Sequence, residues 1–320
     1  GQHPDIFMCR KEPSFFTMYG EVLDIGDEYK DTPIQSASEA IFRTFQDRAI
    51  CDVTSYTQLF SGVKGERAIG DVSPSYIWHP RAAERIKRFI PEAKLIAILR
   101  NPVDRAYSMH LHQVRKGRQR QDFWEALQAE PVESDNPWLA SGLYYIRPGF
   151  YAKHLQRYFS LFDRRQIKIL LYDDFVKDAN GLMQDLFSFL QVDNTFRPDM
   201  SRRHTVSGIP KKSPARLSRA MLPFVDRIAS LKLAKTVAKR FVPKIWIIEY
   251  RIRQWEENLI SHFRDSEPRE AGSEWVSYAN GKYVKPMMKP EVRRWLTDMY
   301  REDVLKLQDI LARDLSAWLK

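Results

Sequence analysis

The stretch Lys94-Leu95-Ile96-Ala97-Ile98-Leu99-Arg100-Asn101-Pro102 decides the fold class. Its continuous apolar run, which ends in a charged residue, is typical of a strand buried on both faces of a parallel sheet. Asn101 can cap a following helix, which the pattern extends to about Arg115. Arg100 therefore leaves the strand at the carboxyl edge of the sheet, where ligands bind in open α/β proteins.

A second apolar run, Ile167-Lys168-Ile169-Leu170-Leu171-Tyr172, predicts another buried strand. It lies between an amphipathic helix around 151–162 and another around 182–190, and this alternation predicts an α/β fold with a parallel sheet and helical layers. We also predict a short strand at 68–71 and further helices at 34–48, from Pro80, at 216–241 and at 290–318. No linker divides the chain, so we predict a single domain over 1–320 with the basic helical segment of about 202–287 as an insertion.

The composition indicates a globular protein. The chain has 320 residues, of which 43% are hydrophobic and 12% aromatic, which is ample for a core and excludes a disordered chain. No run of 18 uncharged apolar residues predicts a membrane span. Cys9 and Cys51 exclude a disulfide scaffold and indicate two buried thiols in a reducing, cytoplasmic setting, although a bridge between them stays open. A luminal, membrane-anchored form also stays open.

The positive charge is concentrated in one segment. The net charge is +10, and the residues from Arg202 to Lys244 are rich in lysine and arginine, opposed only by Asp226. This distribution indicates an anionic partner close to the segment. The helix predicted at 216–241 could lie on an anionic membrane surface or on a polyanionic acceptor.

Arg100 and Ser108 are placed to bind a phosphate. Arg100 follows the strand, and Ser108 lies two turns along the next helix. A guanidinium and a hydroxyl in this arrangement can grip one phosphate, the arginine with two parallel hydrogen bonds. The alternative is that Arg100 pairs with Asp104 and that Ser108 belongs to the helix surface.

These residues lie in a longer pattern that resembles PAPS-dependent sulfotransferases of the heparan-sulfate and bacterial carbohydrate type. The pattern comprises Gly70-Asp71-Val72-Ser73-Pro74-Ser75-Tyr76, Leu99-Arg100-Asn101-Pro102, Arg105-Ala106-Tyr107-Ser108, Gly149-Phe150-Tyr151, Leu171-Tyr172-Asp173-Asp174-Phe175 and Leu315-Ser316-Ala317-Trp318. The resemblance implies a P-loop-like three-layer fold with a central parallel sheet. It also implies that Arg100 and Ser108 bind the 3′-phosphate of PAPS, 3′-phosphoadenosine 5′-phosphosulfate.

The resemblance extends to Lys11-Glu12-Pro13-Ser14-Phe15-Phe16. In the carbohydrate branch a Lys-Glu-x-x-Phe-Phe element supplies the catalytic base, which implies that Glu12 accepts the proton of the acceptor hydroxyl. The alternative is an ordinary surface pair of Lys11 and Glu12. Ser14 stands where heparan-type enzymes have a histidine, and Val72 stands where they have a lysine, so these differences favour a different acceptor.

The family's phosphosulfate-binding loop has no counterpart in the chain. That loop joins a strand to a helix that leads into His-Pro-x-Ile, and the chain begins at Gly1-Gln2-His3-Pro4-Asp5-Ile6. We therefore expect an N-terminal truncation before His3-Pro4, which leaves out the first strand and the 5′-phosphosulfate loop. A degenerate enzyme is the alternative.

Basic residues that follow Phe189-Leu190-Gln191-Val192 occupy the place where related enzymes close a loop over the nucleotide. The resemblance implies that Arg203, Lys211 and Lys212 contact PAPS. The alternative is a solvated basic face. No cluster of His, Cys or Asp has metal-ligand spacing, so no metal is expected.

We predict a sulfotransferase that moves a sulfuryl group from PAPS to a hydroxyl or amine of a carbohydrate or small metabolite. The partners expected are this acceptor and, through 216–241, a membrane surface; nucleic acid is not expected. The alternative function is a non-catalytic basic module that binds nucleic acid or anionic lipid on a degenerate sulfotransferase scaffold.

Overall fold

A computed structural model describes residues 2–9, 12–20, 50–116, 118–119, 121–130, 144–200, 209–210, 275–278 and 283–320. The chain separates into two compact units. The first comprises Gly1–His110, Gln121–Thr205 and Met288–Lys320, and the second comprises Leu111–Arg120 and Val206–Met287. The single domain over 1–320 stays a prediction. The helices expected at 34–48 and 216–241 lie outside the described residues.

The strands are β1 Ile6–Met8, β2 Ala68–Gly70, β3 Leu95–Leu99, β4 Ile167–Leu171, β5 Ile209–Pro210, β6 Trp275–Tyr278 and β7 Tyr283–Pro286. The α-helices are α1 Phe15–Met18, α2 Val53–Gln58, α3 Ala82–Phe89, α4 Pro102–Arg115, α5 Phe123–Gln128, α6 Tyr151–Leu161, α7 Tyr172–Lys177, α8 Ala179–Leu190 and α9 Pro290–Leu311. The described residues also form 3₁₀ helices at Arg147–Gly149, Arg164–Gln166 and Ser316–Leu319.

The first unit is built on parallel strand pairs. β3 pairs with β4, with Leu99 opposite Leu171, and β1 pairs with β2, with Met8 opposite Gly70. Parallel neighbours need long crossovers, and helices between the strands provide them. The α/β prediction is confirmed, and the carboxyl ends of β3 and β4 meet at one edge.

One face of β3 is not covered. Alternate residues of a strand point to opposite faces, and Leu99 is buried whereas Ile96 is 40% and Ile98 is 55% exposed. Ile69 on β2 is likewise exposed. The prediction that the run is buried on both faces is therefore wrong for the face that carries Ile96 and Ile98, because no described element packs over it.

An aromatic core holds helices α1, α3 and α6 together. Buried residues of these helices, with Phe162 directly after α6, form one cluster: Phe15, Phe16, Ala82, Ala83, Ile86, Tyr158 and Phe162. Helix α3 begins at Ala82, two residues later than the predicted start at Pro80. Small alanines on its inner face let the rings approach closely.

The first described residues are tied to a distant segment. The Gln2 side chain donates to the Asp199 carbonyl (3.1 Å) and accepts from the Asp199 N–H (2.6 Å). The His3 ring donates to the Asp193 carbonyl at 2.8 Å, and its other nitrogen accepts from the Asp5 N–H. These contacts hold the approach to β1 against the chain that follows α8.

The closing helix is shorter than predicted. Helix α9 ends at Leu311, because Ala312 adopts a left-handed conformation with φ of 48°. The Arg313 N–H bonds back to the Gln308 carbonyl at 3.1 Å, as in a helix C-terminal turn. The prediction of one helix to Trp318 is therefore wrong at its end.

The second unit contains a small antiparallel sheet among its described residues. The strand order is β5-β7-β6, with Ile209 opposite Val284 and Trp275 opposite Pro286. None of the described helices is long and apolar enough to cross a membrane. No disulfide joins Cys9 to Cys51.

We predict that Ala312→Gly stabilises the protein. A non-glycine residue in the left-handed region costs about 1 kcal/mol relative to glycine, and Ala312 is exposed, so little packing is lost. Thermal unfolding should show a rise in Tm of roughly 2 °C. Ala106→Gly, inside α4, is the control and should lower Tm, since glycine weakens a helix interior.

Candidate active site

Arg100 lies at the carboxyl ends of the β3–β4 pair. Because Leu99 faces Leu171, the next residues, Arg100 and Tyr172, leave the sheet side by side. The Arg100 guanidinium lies 5.0 Å from the centre of the Tyr172 ring, a cation–π contact. The Tyr151 hydroxyl donates to the Arg100 carbonyl at 2.9 Å, so both the backbone and the side chain of Arg100 are held.

Asp104 does not neutralise Arg100. Its carboxylate accepts from the Arg293 guanidinium of α9 at 2.5 Å, and both side chains are partly exposed. Arg100 makes no ion pair with Asp104 or with any other described carboxylate. The alternative in which Arg100 merely pairs with Asp104 is therefore wrong.

Ser108 lies two turns into α4, which starts directly after Arg100. The Asn101 side chain caps this helix by accepting from the N–H groups of Val103 (2.9 Å) and Asp104 (3.3 Å). Residues three and four apart share a helix face, so half-buried Ser108 lies on the face that carries Asp104. That Ser108 and Arg100 bind one phosphate stays a prediction.

The C-terminal residues of the chain bind to the carboxyl edge of the β3–β4 pair. The Trp318 indole N–H donates to the Asp173 carboxylate at 2.9 Å, and Arg313 pairs with Asp174 at 2.7 Å. The Asn101 amide lies 3.4 Å from the Trp318 carbonyl. The turn at Ala312 thus positions the final 3₁₀ helix across the ends of both strands. This arrangement could not be predicted from the sequence, because it depends on contacts between distant residues.

Glu12 lies between β1 and α1, just before the left-handed backbone turn at Ser14. Its side chain is exposed, and Ser14, two residues on, has φ of 52° in the left-handed region. The Ser14 N–H donates to the Ser73 hydroxyl at 2.9 Å. Because β1 and β2 are parallel, this bond joins the segments that follow their two carboxyl ends.

The Asp71 carboxylate supports the carboxyl edge of the β1–β2 pair. Asp71, directly after β2, accepts from the hydroxyls of Tyr56 and Tyr76, each at 3.0 Å. Burial raises the pKa of Asp71, which the two hydrogen bonds oppose. Burial is also the main cause of the raised pKa of each tyrosine, so both hydroxyls stay protonated donors. The sequence pattern contained Asp71 and Tyr76 but indicated no role for either.

Helix α6 connects the two edges. Its Tyr151 hydroxyl binds the Arg100 carbonyl, and its Tyr158 hydroxyl donates to the Tyr76 carbonyl at 2.6 Å. The two tyrosines are seven residues apart on one face, which is about 10 Å along a helix. The segment after β3 and the segment after β2 are thereby held about 10 Å apart along this helix.

Comparisons with known proteins find similarity to sulfotransferases. The sequence profile of the sulfotransferase domain matches residues 80–214. The solved structure of a sulfotransferase from Alicyclobacillus acidocaldarius superposes with a TM-score of 0.63 at 26% identity, and the match covers 100% of this chain and 90% of that one. Residues 80–214 are therefore a sulfotransferase domain. The matched profile contains Arg100 and Ser108, whereas Glu12 lies before it.

Curated relatives of this chain have names that refer to heparan sulfate or to carbohydrate sulfation. Bifunctional heparan sulfate N-deacetylase/N-sulfotransferase 1 of Xenopus tropicalis is 31% identical over 44% of this chain. Carbohydrate sulfotransferase 15 of Homo sapiens is 29% identical over 33% of this chain. The chain spans only 16% of the length of the first relative and 22% of the second.

A partly buried carboxylate, that of Glu130, holds the Tyr144–Tyr151 stretch. The Glu130 carboxylate accepts from three consecutive backbone N–H groups, those of Tyr145 (2.7 Å), Ile146 (2.6 Å) and Arg147 (3.0 Å). Burial raises the pKa of Glu130, while these three bonds and the nearby Arg105 lower it. The Arg105 guanidinium also donates to the Tyr145 carbonyl. Sequence reasoning missed Glu130, because its partners are backbone groups.

Three predicted nucleotide contacts, Arg203, Lys211 and Lys212, lie outside the described residues. Their roles stay predictions. Within the part of the chain that the structure describes, no group of three or more His, Cys, Asp or Glu side chains is arranged to hold a metal ion.

Gly149 has no room for a side chain. A Cβ atom there would lie 2.7 Å from the Tyr300 ring and hydroxyl. Tyr300 is buried, and its hydroxyl donates to the Ile146 carbonyl at 2.8 Å, so the ring cannot move away cheaply. We expect Gly149→Ala to cost about 2 kcal/mol of stability.

Thermal unfolding of Gly149→Ala measures this cost. Gly62→Ala is the matched control, because its Cβ would only touch the Phe7 ring at 3.4 Å. Equal Tm values for the two variants would show that Tyr300 yields without penalty.

Proposed function

We propose that the chain transfers a sulfuryl group from PAPS to a hydroxyl or amine of a carbohydrate or small metabolite, with Glu12 as the general base. The observation that carries the proposal is the position of Arg100. Its guanidinium is held at the carboxyl edge of a parallel pair, within the matched sulfotransferase region, and has no described carboxylate as a partner. A held and uncompensated cation at this edge suits an anionic ligand.

The described residues fit the 3′-phosphate end of PAPS. Arg100 offers parallel N–H donors, and α4 begins beside it with the positive end of its helix dipole. Ser108 would add a hydroxyl donor from the second turn of the same helix. When bound, PAPS supplies the activated sulfuryl group and 3′,5′-ADP as the leaving group.

Glu12 would accept the proton in this reaction. As the acceptor oxygen bonds to sulfur, the bond from sulfur to the 5′-phosphate oxygen breaks, and the acceptor proton passes to the Glu12 carboxylate. Exposure of Glu12 leaves its carboxylate accessible to an acceptor. Two residues on, the Ser14 N–H binds the Ser73 hydroxyl, so Glu12 lies close in sequence to a contact with the carboxyl end of β2.

The acceptor class is proposed from the relatives and from two differences. The named relatives favour a carbohydrate. Ser14 is buried at 8% exposure, and Val72, directly before buried Ser73, is 52% exposed. An exposed valine in the segment that binds Ser14 offers no charge to a sulfated or carboxylated chain, so a neutral saccharide or a small metabolite fits better than a strict heparan 3-O-type acceptor.

Arg100→Ala should weaken nucleotide binding. Loss of a charge-assisted contact costs about 1.5–3 kcal/mol, which corresponds to roughly 10- to 150-fold in Kd. Calorimetric titration of the full-length gene product with 3′,5′-ADP measures the change. Arg164→Ala is the control, because Arg164 also lies over an aromatic ring, that of Phe159, but directly before β4 and thus at the opposite end of the strand. Similar affinities for both variants would contradict the role of Arg100.

Glu12→Gln should abolish most sulfuryl transfer and leave the affinity for 3′,5′-ADP nearly unchanged. Glutamine keeps the size and hydrogen bonding of the side chain but cannot accept the proton, and loss of general-base help costs about 10²–10⁴ in rate. The assay follows labelled sulfate from PAPS to desulfated heparan sulfate, simple glycosides, alcohols and amines. Glu92→Gln, exposed directly before β3, is the control. Full turnover by Glu12→Gln would exclude it as the base.

The comparisons do not support the non-catalytic basic module. The same titration distinguishes it from the proposed enzyme, since a module for nucleic acid or anionic lipid has no reason to bind 3′,5′-ADP with a dependence on Arg100.

A further inference from the structure

The turn that carries Glu12 has a costly backbone conformation. Ser14 has φ of 52° and ψ of 20°, a region that penalises residues with a Cβ atom. Such conformations persist where surrounding contacts hold them. The left-handed conformation of Ser14 is held by contacts from the segment after β2, from Tyr56 and from Arg85.

Ser73 supplies the polar contact. Its hydroxyl accepts from the Ser14 N–H at 2.9 Å, and both residues are buried, at 6% and 8% exposure. Ser73 is itself fixed, because its carbonyl accepts from the Tyr76 N–H at 3.0 Å. The bond therefore ties the backbone next to Glu12 to Ser73, which is itself held in place.

Asp71 fixes the rings that clamp the turn. The Tyr56 ring, held by its hydroxyl on Asp71, stacks on Phe15 with centroids 4.1 Å apart and planes at 11°. The Tyr76 ring, held on the same oxygen, meets Phe16 edge-on at 5.4 Å. Phe15 and Phe16 directly follow Ser14, so the two tyrosines hold the far side of the turn.

Arg85 of α3 holds the backbone of α1. Its guanidinium donates to the carbonyls of Phe16 (3.1 Å) and Thr17 (2.7 Å). These are carbonyls that the short helix α1 leaves without an intrahelical partner. The backbone on both sides of Ser14 is thus fixed by side chains, while the Glu12 carboxylate itself stays exposed.

We propose that Ser73 and Asp71 are positioning residues for Glu12. Ser73 acts through the Ser14 N–H, and Asp71 acts through the hydroxyls of Tyr56 and Tyr76. Neither touches the reacting atoms. This inference rests on the proposed role of Glu12 as the base, and it adds that the direction of the carboxylate is set by the strand-end segment 71–73.

The first test compares Ser73→Ala with Ser75→Ala in the sulfate-transfer assay, using PAPS and the best acceptor of the panel. The Ser75 hydroxyl is buried without a hydrogen-bond partner among the described residues, so it is a matched control two positions away. Ser73→Ala should lower kcat about tenfold, since a buried N–H loses its acceptor. The KM for PAPS and the Kd for 3′,5′-ADP should stay unchanged. Equal kcat for both variants, or a matching loss of nucleotide affinity, would overturn the proposal.

A second pair isolates the hydroxyl should Ser73→Ala fail to fold. Threonine and valine have the same shape, so Ser73→Thr should keep most of kcat, whereas Ser73→Val should lose it about tenfold. Tyr56→Phe tests the Asp71 arm, because it keeps the ring on Phe15 and removes only the hydroxyl; we expect kcat to fall several-fold at constant nucleotide affinity. Equal kcat for the threonine and valine variants would refute the hydroxyl's role.

The double variant separates this inference from the proposed function. If Ser73 acts only by aiming Glu12, Ser73→Ala should cause no further loss of kcat in the Glu12→Gln background. Additive losses would assign Ser73 to another task and overturn the positioning role. A fully active Glu12→Gln variant would instead remove the proposed base, whatever Ser73 does. An inactive Glu12→Gln beside an unaffected Ser73→Ala would overturn only the positioning role.

Discussion

Two tyrosine hydroxyls on α6 set the separation between the two halves of the candidate site. Tyr151 holds the Arg100 carbonyl, and Tyr158 holds the Tyr76 carbonyl. The helix is itself fixed, because the Asp303 carboxylate of α9 accepts from the N–H groups of Ala152 (2.9 Å) and Lys153 (3.0 Å) at its first turn. A rigid helix of fixed rise thus acts as the spacer between Arg100 and the segment that carries the proposed base.

The sequence was sufficient wherever the determining interaction is local. The apolar runs of β3 and β4 and the Asn101 cap of α4 were predictable, because strand burial and helix capping depend on neighbouring residues. The position of Arg100 at the sheet edge followed from the same pattern. The roles of Glu12 and Ser108 depended on the family pattern, and they stay predictions.

The rest depends on partners that are distant in sequence. Nothing local reveals that Asp104 binds Arg293 and not Arg100, or that Asp71 accepts from two tyrosine hydroxyls. The end of α9 was missed for a similar reason. Its residues keep helical character up to Trp318, but the turn at Ala312 lets Trp318 reach Asp173, and this tertiary contact outweighs local propensity.

The parallel pairing of the strands has a consequence for how the chain reaches its native state. Each pair joins strands separated by a long crossover, from Met8 to Ala68 and from Leu99 to Ile167. Such contacts require large loops to close before they contribute any stability, so the sheet edges form late and slowly. During that delay the apolar side chains of Ile96 and Ile98 face solvent, as they do in the folded unit. Self-association of partly folded chains along β3 therefore competes with folding, and dilute refolding conditions favour the native pairing.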